Sequence, residues 1–458
     1  MAFLKAAEQA VWSWPLLLLI FGCGLYLNIR LRFFPLRRLP YALRLISEKP
    51  QKGGISPFAS LCTALSATVG TGNIVGVAGA VVLGGAGALL WMNVSAIVCM
   101  SVKYAECLLA VRFREKTPEG YRGGPFLYLR QLPGRCGHTL AAVFAVFGAA
   151  AGLLGVGTFV QVNSVTAGTE YYLFRCLPDV FPTVSLFGRQ YSLLIPLLCG
   201  LFTVLAALIL RGGTKRIANA SSLLVPVMAG LYLLLCLWII FACRAALPGV
   251  LCRIFTEAFC PRAVCGGFLG VLQAGVSRGI FSNEAGLGTA PIAAATADTG
   301  PLHQGLVGMT ANIFDTVLVC SLTGLAVLCT GTDSLGLTGT AVTMQAFARG
   351  LPLDPVISQG AVLLCLTLFA FTTVVGWSLY GTSCLDYLTH GSKTAKQIYL
   401  LLYLTAVFFA PYLHTETVWT AANLCNGLMA APNLLGLLLL GGTVVRETLD
   451  ETPRLGIK

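Results

Sequence analysis

Two stretches decide how this chain reads: Leu65-Ser66-Ala67-Thr68-Val69-Gly70-Thr71-Gly72-Asn73-Ile74-Val75-Gly76 and Gln273-Ala274-Gly275-Val276-Ser277-Arg278-Gly279-Ile280-Phe281-Ser282-Asn283-Glu284-Ala285-Gly286-Leu287-Gly288. Each sits inside a long apolar run, yet carries too much glycine and polarity for a plain lipid-facing helix. Glycine costs roughly 1 kcal/mol in a helix interior and admits backbone angles that other residues avoid. Each cluster therefore predicts a helix broken within its span. Backbone released by such a break must face a ligand, water or protein, because lipid cannot satisfy it. The plainer reading is close helix packing, since Gly72 and Gly76 match a small-xxx-small spacing. The flanking Thr71 and Asn73, and the existence of a second break, favour a binding function.

The surrounding chain is a membrane protein. Of 458 residues, 56% are hydrophobic and only 10% charged, with mean hydropathy +0.81. A soluble domain carries roughly 25% charged residues to solvate its surface. The net charge of +12 does not point to nucleic acid, because Lys and Arg fall in short loops where they act as topology signals and favour anionic lipid. Many of the 17 cysteines, such as Cys62, Cys99, Cys199 and Cys320, lie in apolar runs and read as small apolar residues. Cys252, Cys260 and Cys265 share one expected external loop, where a disulfide is open. His138, His303, His390 and His414 fall near span ends or loops and read as solvated.

A membrane-crossing helix needs about 20 mostly apolar residues. That ruler gives about eleven spans: 11–30, 57–84, 86–112, 138–168, 190–210, 217–243, 265–296, 304–330, 356–384, 397–413 and 416–443. The first lacks the basic leader and cleavage site of a signal peptide and reads as a transmembrane helix. The loops after spans one, three, five and nine are basic, which puts them in the cytoplasm, the N-terminus outside and the C-terminus inside. Residues 1–56 then form an extra helix with a basic loop, 57–243 and 265–443 two five-helix units, and 444–458 a cytoplasmic tail. Each unit opens on a broken helix, and an odd number of helices forces the second unit to enter from the opposite face. This is the layout of inverted-repeat transporters, with the site between the breaks at mid-membrane. Unwinding at Gly70–Gly72 frees amides that suit a carboxylate and carbonyls that suit a hard cation such as sodium.

Three motifs make the chain resemble the alanine or glycine:cation symporter family: Ala64–Ala78, Arg278-Gly-Ile-Phe-Ser-Asn-Glu-Ala-Gly-Leu-Gly-Thr-Ala-Pro291 and Gln304-Gly-Leu-Val-Gly-Met309. Gly123-Gly-Pro125, Phe371–Trp377 and Ala431-Pro-Asn433 extend the match over nearly the whole chain. The resemblance implies an all-α, leucine-transporter-like fold and sodium-coupled, occasionally proton-coupled, uptake of a small neutral amino acid without any cofactor. It implies that Thr71 and Gly72 offer amides to the substrate carboxylate, that Gln161 lines the pocket, and that Phe281, Ser282 and Asn283 close it around a small side chain. For the cation it implies carbonyls near Ser66 and Val69, hydroxyls of Thr372 and Thr373, and Asn73 as a further ligand. Thr382 stands where the family often has an acidic residue, which puts a cytoplasmic ion pair in doubt.

Lys103, Glu106, Arg278, Glu284 and Asp315 lie inside expected spans. Buried charge in a membrane is costly and usually paired. Lys103 and Glu106 are spaced i,i+3 and could pair locally; Arg278, Glu284 and Asp315 could form a network behind the second break, as gating or structural groups, and a proton relay through Glu284 or Asp315 stays open. An enzyme would need a nucleophile with its base or a metal cluster, and no HExxH occurs. A proton-coupled carrier and a passive channel are the alternatives; a channel has no need of two opposed breaks.

Overall fold

The computed structural model describes residues 2–12, 14–50, 54–117, 120–176, 182–186, 189–259, 267–413 and 415–452. Helices occupy all eleven expected runs. Among the described residues eight are long and apolar enough to cross a membrane, and nine if the pair Pro57–Thr68 and Gly72–Gly84, bent by 56°, counts as one span. The two remaining runs, Leu194–Leu210 and Gly267–Asn283, are helices of 17 residues each.

The ends follow local chemistry. Ser56 caps the first broken helix by accepting from Ala59 N at 3.1 Å, with Pro57 at the first turn. Asp354 caps Pro355–Leu388 in the same way through Val356 N at 2.8 Å. Such caps satisfy amides that the helix itself cannot. A single apolar core then joins the first helix, both broken helices and the long helix Pro355–Leu388.

The fold is nearly all helical, as expected, with two short antiparallel hairpins that pair Glu115–Thr117 with Gly120–Arg122 and Thr183–Leu186 with Arg189–Ser192. Other details depart from expectation. The fourth run is interrupted between Gly134–Leu154 and Phe159–Cys176, where Tyr403 donates to Gly157 O at 2.7 Å. The loop before span seven contains the helix Leu247–Phe259, whose Glu257 accepts from Ala86 N at 2.9 Å. Another helix, Thr340–Gly350, fills the connection after span eight and packs with Val342, Met344 and Phe347 fully buried. The last helix runs through the expected tail to Glu451, which accepts from Leu302 N at 2.9 Å. His303 is buried rather than solvated, with Nδ1 3.5 Å from Glu48. Cys260, Cys265 and His414 lie outside the described residues.

Candidate functional site

At the first break the α-helix ends at Thr68, and Val69, with ψ 84°, turns its carbonyl off the helical ladder. Gly72–Gly76 then forms a π-helical turn before Val77–Gly84 resumes. π-turns inside helices commonly mark functional sites. Two freed amides find side-chain oxygens: Gly70 N donates to Asn73 Oδ1 and Thr71 N to Gln161 Oε1, each at 3.1 Å. Gln161 therefore stands at the amide expected to hold a substrate carboxylate. Thr71 Oγ1 is buried without a hydrogen-bond partner, which leaves one more polar atom for a ligand. Thr373 Oγ1 lies against Gly70 and donates to Phe369 O at 2.9 Å.

The second break spans Glu284 to Thr289, between Gly267–Asn283 and Ala290–Ala294. Gly286 and Gly288 adopt φ 88° and 80°, the left-handed region that a side chain disfavours. Glu284 shares it at φ 53°, and its carboxylate accepts from Thr289 Oγ1 at 2.5 Å. Ser282, one residue earlier than Asn283, donates to Asp315 Oδ2 at 2.7 Å.

Asp315 joins the two breaks. It lies in a second π-helical stretch, Ile313–Cys320, and is fully buried. Asn73 Nδ2 donates to its Oδ1 at 2.5 Å, and Thr316 Oγ1 to its Oδ2 at 2.8 Å. Ser282 and Thr316 thus bring hard oxygens to the Asp315 carboxylate, the ligand type that suits sodium, while Asn73 holds it through its amide nitrogen. The sequence reading put Asp315 among the gating candidates; its i,i+1 neighbour Thr316 was missed, and the π-turn that aims both inward leaves no composition signal. Cys320 Sγ closes the cluster, 3.0 Å from Ser282 Oγ and 3.3 Å from Asn73 Nδ2.

Other expected site residues fall elsewhere. Ser66 donates to Thr63 O at 2.8 Å and accepts from Ser221 at 3.2 Å. Thr372 is turned toward Met228 Sδ at 3.2 Å. Phe281 stacks on Trp12 of the extra N-terminal segment, centroids 4.1 Å apart, rather than facing Thr71. Asn283 Oδ1 accepts from Ala285 N at 3.0 Å, and its Nδ2 has no hydrogen-bond partner. The local Lys103–Glu106 bond is not made: Lys103 Nζ has no hydrogen-bond partner and Glu106 turns to the second break. Arg278 likewise donates to Gly72 O at 2.6 Å instead of pairing with Glu284 or Asp315. Gly76 is close-packed against that guanidinium, and a Cβ there would overlap it.

The ends of the broken helices are clasped together. Ile55 and Ala297 form a parallel bridge, Asp298 N donates to Ile55 O at 2.9 Å, and Gly54 N to Asp298 Oδ2 at 3.3 Å. Arg114 donates to the carbonyls of Ala295, Ala297 and Thr299, and packs over the Tyr121 ring at 3.7 Å. A cavity of about 690 Å³ opens beside this clasp, lined by Ile55, Arg122, Asp298, Thr382, Asp386 and Lys393 among others. Neither Thr71, Gln161 nor Asp315 lines it.

Paired broken helices around a buried polar site define a secondary transporter. The family model described as the sodium:alanine symporter family matches residues 1–452. The chain belongs to that family, and it is a multi-pass membrane transporter, not an enzyme. It is 40% identical over 461 residues to the sodium/alanine symporter AgcS of Methanococcus maripaludis, covering 98% of this chain and 96% of that one. It is 43% identical over 468 residues to an uncharacterized transporter of Haemophilus influenzae, covering 100% and 97%. Among solved structures it resembles MhsT, crystallised with L-phenylalanine, at TM-score 0.56 and 16% identity over 86% of this chain and 90% of that one. That likeness shows the leucine-transporter-like fold.

Proposed function

We propose that the protein imports a small neutral amino acid, alanine or glycine, together with sodium by alternating access across the cell membrane, with its N-terminus outside and C-terminus in the cytoplasm. The observation that carries the reading is the meeting of amide and carboxylate chemistry at the first break. The substrate carboxylate takes the Thr71 and Gly72 amides beside Gln161, and a sodium ion takes the oxygens of Asp315, Ser282 and Thr316, with Asn73 steadying the carboxylate. A charge there strengthens the pull on the substrate carboxylate because the surroundings are dry. Val69 and Thr373 at the far side of Gly70 offer oxygens for a second cation. The vestibule on the face carrying Lys116, Arg122 and Lys393 is the cytoplasmic exit, and the clasp beside it is the barrier.

Proteoliposomes holding the purified protein should accumulate labelled alanine or glycine under an inward sodium gradient. Accumulation driven by a proton gradient alone would replace sodium by protons in this reading. Uptake indifferent to both gradients would refute coupling and favour a channel.

A further inference from the structure

The freed amides of the second break already hold a carboxylate. Gly286 N and Gly288 N both donate to Glu106 Oε1 at 3.1 Å, and Asn433 Nδ2 donates to the same oxygen at 2.6 Å. Asn433 also donates to Gly286 O at 2.9 Å and is itself held by the Tyr128 hydroxyl. Two direct hydrogen bonds and a bridge through Asn433 therefore fix the unwound loop to helix Met100–Arg112. Left-handed glycines flanking a residue turn successive amides to one side and make such an anion cradle. Two further atoms face this centre unpartnered: Glu106 Oε2 and Lys103 Nζ, each on a fully buried residue. Lys103 and Glu106 stand three residues apart on helix Met100–Arg112, close enough for their side chains to meet.

We propose that the second break is a built carboxylate site whose ligand is permanent: Glu106 fills it, Lys103 balances the charge, and the pair holds the loop in its transport-competent shape. Glu106 is a positioning residue. It matches the carboxylate that the substrate brings to the first break, where the neutral amide of Gln161, not a carboxylate, meets the freed Thr71 amide. The second break, already holding a carboxylate, thereby directs the substrate's carboxylate to Thr71. The inference rests on the transport reading only for its effect on uptake; the carboxylate site itself stands on the hydrogen bonds.

Glu106→Ala removes the heavy atoms of an acetate ion and leaves the cradle open beside Lys103. Purified Glu106→Ala protein is melted in sodium acetate and in sodium chloride of equal concentration, with wild type alongside. Ligand binding to the folded state stabilises it by mass action, so acetate at ten times its Kd should raise Tm on the order of 1–3 °C above the wild-type response. Pivalate, too bulky for the vacated space, should give no such excess. In vesicles, acetate should restore labelled alanine uptake by Glu106→Ala at least threefold over chloride. Equal behaviour of acetate and chloride in the melting experiment overturns the carboxylate site, whatever the transported substrate proves to be; an acetate-specific melt without recovered uptake overturns the positioning role. If Glu106→Ala does not fold, the pair is tested by charge removal. Glu106→Gln leaves Lys103 uncompensated, and adding Lys103→Met should recover uptake at least tenfold over Glu106→Gln alone. A double variant no better than the single one overturns the pairing.

Discussion

Gly76→Ala places a methyl group where the Arg278 guanidinium lies. The added Cβ would overlap Cζ and both terminal nitrogens of that group, and the half-buried side chain reaches from the second broken helix to the first. Alanine alone would favour the helical backbone by about 1 kcal/mol over glycine. Against this stands overpacking, typically about 1–3 kcal/mol. Displacing the guanidinium also breaks its 2.6 Å bond to Gly72 O, and a hydrogen bond to a charged group contributes about 1.5–3 kcal/mol. The balance is a loss of about 1.5–5 kcal/mol, enough to lower the melting temperature and transport together. The diagnostic comparison is Arg278→Ala with and without Gly76→Ala, by thermal melting of purified protein. Once the guanidinium is gone that overlap is relieved, so Gly76→Ala should cost nothing in that background and gain up to about 1 kcal/mol from helix propensity. Additive losses would refute the overlap and return Gly76 to a general packing role.

Asp315→Asn keeps one acceptor but turns an amide toward donors now bonded to the carboxylate, and removes its charge; the sodium concentration for half-maximal uptake should rise at least tenfold, and an unchanged sodium dependence would clear Asp315 of cation binding. Gln161→Ala removes the acceptor of the Thr71 amide, and loss of a contact worth about 1 kcal/mol should raise the apparent KM about fivefold; an unaltered KM removes Gln161 from the pocket. Glu115 on the hairpin accepts from Arg122 at 3.0 Å and Arg130 at 2.9 Å. Burial pushes its carboxyl up, but those two hydrogen bonds outweigh it and hold the group below the usual glutamate range. Its stabilising effect is therefore present above the ordinary glutamate value and lost as pH falls through the depressed one. Hydrogen exchange at Gly120–Arg122 should quicken over that acid range in wild type, whereas Glu115→Gln should show no such step.

The broken helices were legible because glycine clusters have a local meaning: they weaken the helix wherever they stand. The Thr71–Gln161 contact joins residues 90 apart, and only the family resemblance brought Gln161 forward. The roles of the charged residues were less legible. Arg278, Glu106 and Asp315 each had an obvious charged neighbour in the chain, yet each turned to freed backbone or to hydroxyls and an amide. Broken helices expose more unsatisfied backbone than the sequence displays as side-chain charge, and satisfying it outranks pairing charges. The packing of Phe281 was hidden for a different reason. Its side of the helix depends on packing against Trp12, a contact across 269 positions that no periodicity encodes. The amphipathic helix Leu247–Phe259 and the tucked helix Thr340–Gly350 were read as loops because neither is apolar enough to register as a span.

The clasp at Ile55 and Ala297 has a mechanical consequence. A backbone bridge, the Asp298 contact to Gly54 and the Arg114 fork tie the start of one broken helix to the end of the other. Further along, Ser60 donates to Ala293 O at 3.0 Å and receives Gln304 Nε2 at 3.1 Å. Tethered at several points, the two segments share one degree of freedom while the clasp holds and gain a second only when it parts. In the proposed transport cycle a gate geared in this way would open in one cooperative step, keeping the ion and its passenger from leaking through half-open intermediates.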